Sequence, residues 1–136
     1  FSAIKGQGSY RNGKRLQVGG KSELIECVLA TGFPYDIATH PVNNIDYFTS
    51  LAKKTRAVRR MGSAAYDLAC VASGGFDGFW EMNLSPWDVA ASILIVTEAG
   101  GDVLPFRDDR KISIVAGNPL ISQKILAALR EVDRLA

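Results

Sequence analysis

Two isolated carboxylates flank a helix start, and their spacing is the strongest chemical signal in the chain. Glu81 precedes the turn Ser85-Pro86, and Asp88 follows it at the head of an almost wholly apolar run. Mg²⁺ takes near-octahedral oxygen ligands, usually one or two carboxylates completed by substrate phosphate and water. Glu81 and Asp88 are therefore candidates for binding hydroxyl groups and a hard metal ion.

Asp88 also has a purely structural explanation. Ser85 can cap the helix, Pro86 suits the first helical position, and Asp88 at the third can reach back as in a capping box. A carboxylate at the positive end of a helix stays ionised, so the same side chain could also hold Mg²⁺. The spacing alone is compatible with a cap only, or with a cap that is also a metal ligand.

Two further features could line a binding site. Glu81 is expected at the end of a strand over residues 75–81, facing the crevice above the sheet, although a solvated loop charge is the commoner fate of a glutamate. Gly62, Ser63 and Ala64 precede an apolar helix, whose first backbone N–H groups could cradle an anion or a ring hydroxyl. The same three residues could equally form an ordinary capped helix start.

The elements that must position these residues alternate between strands and helices. Asn12-Gly13 predicts a tight hairpin turn near the N-terminus, since both residues tolerate positive φ. Asn43 or Asn44 is expected to cap a helix, and Trp87 is expected to help bury the helix that starts at Ser85. The pattern predicts a single layered α/β domain over residues 1–136 with one central sheet. Strands are expected at 24–31, 57–60, 75–81, 102–104 and 112–116, and helices from 45, at 64–73, at 85–99 and from 118.

Composition excludes several classes of protein. Hydrophobic residues make up 47% of the 136 residues, enough for a sizeable core, and the net charge of +2 does not favour nucleic acid as a partner. Cys27 and Cys70 fit neither a disulfide framework nor a zinc site, and suit a reducing cytoplasm. His40 is the only histidine and has no acidic neighbour. No apolar run is long enough for a membrane span.

Basic residues gather around the end of the helix that begins near residue 45. Cations at a helix C-terminus are favoured by the helix dipole, so a solvated basic face is the simplest interpretation. A phosphate-binding or RNA-facing patch is the alternative, although no recognised nucleic-acid motif accompanies it. The residues are Lys53, Lys54, Arg56, Arg59 and Arg60.

Four motifs in order make the chain resemble the inositol monophosphatase family, in particular its bacterial SuhB-like branch. They are K-G-x-G-S-Y-x-N-G, R-x-G-S-A-A, A-S-G-G-F-D-G-F-W-E and P-W-D-x-A-A followed by E-A-G-G. The resemblance implies the layered C-terminal half of the sugar phosphatase fold, with a mixed β-sheet covered by helices and an N-terminal β-hairpin. It also implies that Asp88 is a Mg²⁺ ligand, that Glu81 binds substrate hydroxyls, and that Gly62, Ser63 and Ala64 line the substrate pocket.

One family motif has no counterpart here. The other metal ligands of the family come from an upstream Glu and a D-P-x-D-G-T motif, which does not occur between Phe1 and Ala136. The resemblance thus implies a longer, homodimeric phosphomonoesterase that hydrolyses inositol or sugar phosphates by metal-activated water, with its N-terminal metal-binding domain outside this chain. Half of the carboxylate set cannot assemble a two-metal site, so the isolated chain is expected to be inactive.

Two other functions stay open at this stage. The first is a non-catalytic interaction or regulatory module that binds protein or RNA partners through the basic face. The second is a fragment without separate activity. Charge reversal at Arg59 and Arg60 should abolish partner binding, whereas Asp88→Asn in the complete protein should abolish hydrolysis and leave binding intact.

Overall fold

The computed structural model describes all residues, Phe1–Ala136, and contains eight strands and four helices. The strands are β1 (Ser2–Ala3), β2 (Ser9–Arg11), β3 (Lys14–Arg15), β4 (Val28–Thr31), β5 (Ala57–Arg59), β6 (Gly78–Leu84), β7 (Asp102–Pro105) and β8 (Ile112–Gly117). The helices are α1 (Ile45–Lys54), α2 (Ala64–Ser73), α3 (Pro86–Glu98) and α4 (Pro119–Leu135). None of these helices combines the length and the apolar content that crossing a membrane would need.

The first three strands form a small antiparallel sheet that contains the expected hairpin. Strands β2 and β3 pair across the turn, with Tyr10 opposite Arg15. Asn12 and Gly13 have φ of 49° and 80°, the left-handed region that a two-residue hairpin turn requires at both positions. Strand β1 adds to the free edge of β2, so the N-terminal hairpin is confirmed and extended by one strand.

The central sheet has five strands in the order β5-β4-β6-β8-β7. Strand β4 runs parallel to β5 and β6, whereas β8 runs antiparallel to both β6 and β7. The predicted mixed sheet is therefore confirmed. As a result of these directions, the carboxyl ends of β4, β5 and β6 meet the start of β8 at one edge of the sheet.

Helices cover both faces of this sheet, which gives three layers and two hydrophobic cores. One core joins the sheet to α1 and α4, and the other joins it to α2 and α3. Strand β6 serves both because its side chains alternate: Phe79 packs toward α2 and α3, while Trp80 and Met82 pack toward α1 and α4. Glu81, on the Phe79 side, therefore faces the helices whose starts form the candidate site.

Two predictions about individual elements are wrong. The predicted strand 24–31 begins only at Val28, because Leu24–Glu26 form a 3-10 turn that the Cys27 N–H closes by donating to the Leu24 carbonyl at 2.9 Å. Trp87 does not help to bury its helix, since it is 84% exposed. The helix α3 is buried instead by aliphatic side chains such as Val89 and Val96.

Gly78 offers a direct test of how closely α4 packs on β6. A Cβ at this position would lie 2.6 Å from Ile125 Cδ1 and 3.0 Å from Leu29 Cδ2, inside a core without free space. We expect Gly78→Ala to lower the free energy of unfolding by about 1–3 kcal/mol, measured by urea denaturation. Gly20→Ala is the matched control, because its added Cβ meets no heavy atom within 4 Å. An equal loss in both variants would contradict this account of the packing.

Candidate active site

The five residues singled out from the sequence, although distant in the chain, line one cavity of about 630 Å³. Glu81 comes from β6, and Asp88 comes from the first turn of α3. Gly62, Ser63 and Ala64 form the start of α2. The cavity lies at the sheet edge where β4, β5 and β6 end, which is where open α/β sheets bind ligands. The structure thus brings every candidate residue to one place, while their roles stay predictions.

Asp88 sits in the capping arrangement expected from its spacing. Its Oδ2 accepts a hydrogen bond from the Ser85 backbone N–H at 2.9 Å, and Pro86 occupies the first helical position. The carboxylate therefore lies at the positive end of α3, where a negative charge interacts favourably with the helix dipole. Its second oxygen, Oδ1, receives no hydrogen bond from the protein, so the cap leaves one oxygen of Asp88 available to a ligand.

The sequence predicts Glu81 at the end of a strand, but Glu81 lies inside β6. The strand continues to Leu84, which pairs with Ile112 of β8 across an irregularity in the register. Asn83 absorbs this irregularity with a φ of 61°, and such bulges re-aim side chains next to functional sites. The expectation of a solvated loop charge is also wrong, because Glu81 is half-buried against the backbone of Gly32.

Gly32 leaves the space that the Glu81 carboxylate fills. A Cβ on Gly32 would lie 2.4 Å from Glu81 Oε1, closer than any non-bonded contact permits. The side chain of Asn44 fixes this glycine by donating a hydrogen bond from Nδ2 to the Gly32 carbonyl at 2.7 Å. Asn44 holds the N-cap position of α1, but its buried side chain makes no capping bond; the Ile45 N–H donates instead to Asn43 Oδ1 at 3.1 Å.

The acidic groups of the cavity share an unfavourable electrostatic environment. The pKa of Glu81 is raised from an ordinary 4.5 to about 7, first by burial and then by the negative charges of Asp67 and Asp88. Arg60 acts in the opposite direction but does not offset these effects. Burial likewise raises the pKa of Asp67 to about 6, and its Oδ1 has no hydrogen-bond partner. Perturbed carboxyl groups of this kind are typical of functional sites.

The start of α2 has the geometry of a capped helix with free donors. Gly62 adopts a φ of 86°, a left-handed conformation that a side chain would strain. The Ser63 side chain accepts a hydrogen bond from the Tyr66 N–H at 3.3 Å, as expected of a cap. The N–H groups of Ala64 and Ala65 have no intrahelical acceptor and lie on the cavity wall. The start of α2 is consequently both a normal cap and a possible anion or hydroxyl cradle.

Several residues of the cavity have no clear signal in the sequence. Arg60, which belongs to the basic cluster of the sequence, lines the cavity beside Phe33 and Tyr35. Lys111 lines the opposite flank, where β8 begins. A further carboxylate, that of Asp67, is buried in α2 behind the cavity. Only the R-R-x-G-S pattern next to Gly62 could have signalled Arg60; nothing local marks Lys111 or Asp67.

The mixed sheet with helices on both faces, and the carboxylate-lined cavity at one edge of it, define a layered α/β protein with a ligand-sized pocket. The model of the inositol monophosphatase family matches residues 1–134, and the chain belongs to that family. The expected resemblance is thereby confirmed.

Individual relatives agree with this assignment. The chain is 41% identical to "Nus factor SuhB" of Pseudomonas aeruginosa and 38% identical to "Inositol-1-monophosphatase" of Mesorhizobium japonicum, over 96% of its own length in each case. These matches cover 50% and 51% of the two proteins, so the chain spans about half the length of the curated relatives it matches. The structure of inositol monophosphatase from Anabaena (Nostoc) sp. PCC 7120 superposes with a TM-score of 0.88 at 42% identity, over 93% of this chain and 52% of that one.

The raised pKa of Glu81 makes a testable contribution to stability. As pH rises through 4.5 toward 7, the unfolded chain ionises this group before the folded chain does, so the folded state loses stability. Glu81→Gln removes this penalty, and we expect it to gain up to about 3 kcal/mol over the wild type between pH 4.5 and 8. Urea denaturation at a series of pH values measures the difference. The exposed Glu26→Gln serves as the control, and a gain that does not grow with pH would refute the burial argument.

Proposed function

We propose that this chain forms the ring-binding half of a Mg²⁺-dependent phosphomonoesterase that acts on inositol monophosphate or a related sugar phosphate. One observation carries the proposal: Glu81, Asp88 and the start of α2 converge on a single cavity in a chain of this family. The cavity offers two carboxylates and free backbone donors. It is large enough for a sugar-sized ligand, since ligand pockets usually measure about 300–1,000 Å³.

The donor chemistry of the cavity suits Mg²⁺. Asp88 supplies a hard oxygen with no protein partner, the buried Asp67 Oδ1 also lacks a hydrogen-bond donor, and the pKa of Glu81 is raised by burial and by these two carboxylates. The number of donors is incomplete, because no group of three or more His, Cys, Asp or Glu side chains could enclose a metal ion. Asp88 would be one ligand and a neighbouring domain would supply others. Bound Mg²⁺ would polarise the phosphoryl oxygen and activate water.

The polyol ring is bound, in this proposal, by groups that the chain itself provides. Glu81 accepts hydrogen bonds from ring hydroxyls, in a half-buried position where such bonds are stronger than in water. The free N–H groups of Ala64 and Ala65 donate to a hydroxyl or to a phosphate oxygen. Gly62 and Ser63 keep this wall free of bulky side chains. The remaining ligands, and the predicted homodimer, belong to the full-length protein.

Substitution of Asp88 can separate its proposed role in metal binding from its role in capping α3. Asp88→Asn keeps an oxygen that can accept the Ser85 N–H but removes the charge, so helix α3 should survive while Mg²⁺ binding is lost. In the full-length protein we expect at least a ~100-fold drop in Mg²⁺-dependent phosphate release from inositol 1-phosphate, since such a metal contributes several kcal/mol. Ser85→Ala is the matched control: it weakens the cap by about 1 kcal/mol and leaves the carboxylate in place.

Two results would contradict the proposal. Hydrolysis by Asp88→Asn at the wild-type rate would remove Asp88 from the metal site. Phosphate release by the isolated 136-residue chain, which we expect to be inactive, would show that no further ligands are needed.

A second candidate function rests on the basic face, defined by Lys53, Lys54, Arg56, Arg59 and Arg60. Only Lys54 of this group forms an ion pair, with Glu131 at 3.5 Å, and the other four side chains are exposed. Several relatives carry the name "Nus factor SuhB". We propose that this face binds a protein or RNA partner independently of hydrolysis.

Charge reversal away from the cavity tests this second function. Arg56→Glu combined with Arg59→Glu leaves Arg60 and the cavity intact, so phosphate release should be unchanged. Binding of a fluorescein-labelled single-stranded RNA, followed by anisotropy, should weaken more than about tenfold and lose part of its salt dependence. The exposed pair Lys5→Glu and Lys14→Glu controls for net charge. An equal loss in the control would show that only overall charge matters and would remove the basic face as the RNA-binding surface.

A further inference from the structure

Arg60 is held at the cavity wall by an aromatic stack. Its guanidinium lies 5.4 Å from the centre of the Phe33 ring, within the range of a cation–π contact. Phe33 is itself fixed by Phe48, whose ring centre is 5.7 Å away at an interplanar angle of 55°. Both Arg60 and Phe33 line the cavity. The guanidinium therefore has a defined position although its side chain is exposed.

No protein group neutralises this guanidinium. The six ion pairs of the structure involve other residues, and Arg60 donates no hydrogen bond. Glu81 is near enough for the Arg60 charge to lower its pKa, but the two side chains do not pair. Arg60 thus presents a planar fork of N–H donors to the cavity, the geometry that binds carboxylate or phosphate oxygens in pairs.

The strand order separates Arg60 from the acidic part of the cavity. Arg60 follows β5, whereas Glu81 lies on β6, two strands away in the order β5-β4-β6. At a strand spacing of about 4.8 Å this places their backbones roughly 10 Å apart, about the length of a phosphorylated sugar ring. Lys111, at the start of β8, adds a second positive charge on the far side of Glu81. A ligand that contacts Glu81 through its ring can therefore reach Arg60 with a substituent.

We propose that Arg60, positioned by Phe33, is a specificity-determining residue that binds a second anionic group of the ligand. The preferred substrates are then polyol phosphates that carry a further phosphate or carboxylate remote from the phosphoryl group at Asp88. That the ligand is a phosphorylated polyol rests on the proposed function; the anion-binding position of Arg60 rests on the stack and on its lack of a partner.

Equilibrium binding tests the proposal without any need for turnover. Calorimetry on the full-length protein in the absence of Mg²⁺ would compare inositol 1-phosphate with inositol 1,4-bisphosphate and with glucuronic acid 1-phosphate. The wild type should prefer one or both ligands with the additional anion, and the two arms distinguish phosphate from carboxylate. Arg60→Gln should reduce that preference about tenfold, because one charge-assisted contact is lost, while the affinity for inositol 1-phosphate changes less than about twofold.

Two variants keep the test specific. Phe33→Leu retains the charge but removes the stack, and should give an intermediate loss of preference. Arg59→Gln is the matched control, since Arg59 is an exposed neighbour that does not line the cavity. The proposal is overturned if the wild type shows no preference, if Arg60→Gln weakens all three ligands equally, or if Arg59→Gln has the same effect. Absence of hydrolysis with an intact preference would instead refute the proposed function alone.

Discussion

The site depends on a buried network of hydrogen bonds centred on Asn44. The Trp80 indole N–H donates to Asn44 Oδ1 at 2.7 Å, and Asn44 Nδ2 donates to the Gly32 carbonyl at 2.7 Å and to Thr31 Oγ1 at 3.1 Å. Thr31 in turn donates to the Trp80 carbonyl at 2.6 Å. Because each of these polar groups is paired, the network can be buried without penalty and locks the end of β4 against β6.

These hydrogen bonds explain why the Glu81 carboxyl group stays in the cavity although burial disfavours its ionised form. Gly32 cannot move away from Glu81, and β6 cannot turn Glu81 outward without displacing Trp80 and Met82 from the opposite core. A one-residue change of register would transfer all of these side chains to the wrong face. The desolvation of Glu81 is therefore maintained by the large core on the other side of the sheet, as is common for groups held ready to bind a ligand.

The sequence predicts the turns and helix caps, which depend on residues close together in the chain. It does not predict the features that depend on pairing between distant strands. The Asn12-Gly13 turn, the Ser63 cap and the reach of Asp88 back to Ser85 are local patterns within four residues, and the structure confirms them. The extra length of β6 beyond Glu81 depends on pairing with β8, more than 25 residues later in the chain. The stack of Arg60 on Phe33 likewise joins the segments that follow two different strands, β5 and β4, so no spacing rule could indicate it.

Helix α3 connects the acidic cavity to the small N-terminal sheet, and a carboxylate lies at each of its ends. At its far end Glu98 accepts hydrogen bonds from the N–H groups of Gly6 and Gly8 at 3.0 and 2.8 Å, which hold its pKa below the ordinary value. Carboxylates thus accept backbone hydrogen bonds at both ends of the helix, Asp88 in its first turn and Glu98 in its last. The negative charges of Asp67 and Asp88 add to the burial that raises the pKa of Glu81, and a cation bound in the cavity would act against both effects, as the charge of Arg60 already does in part. In the proposed function, the buried Glu81 that lowers the stability of the folded chain as its carboxyl group ionises would be stabilised in that ionised form by a nearby divalent cation.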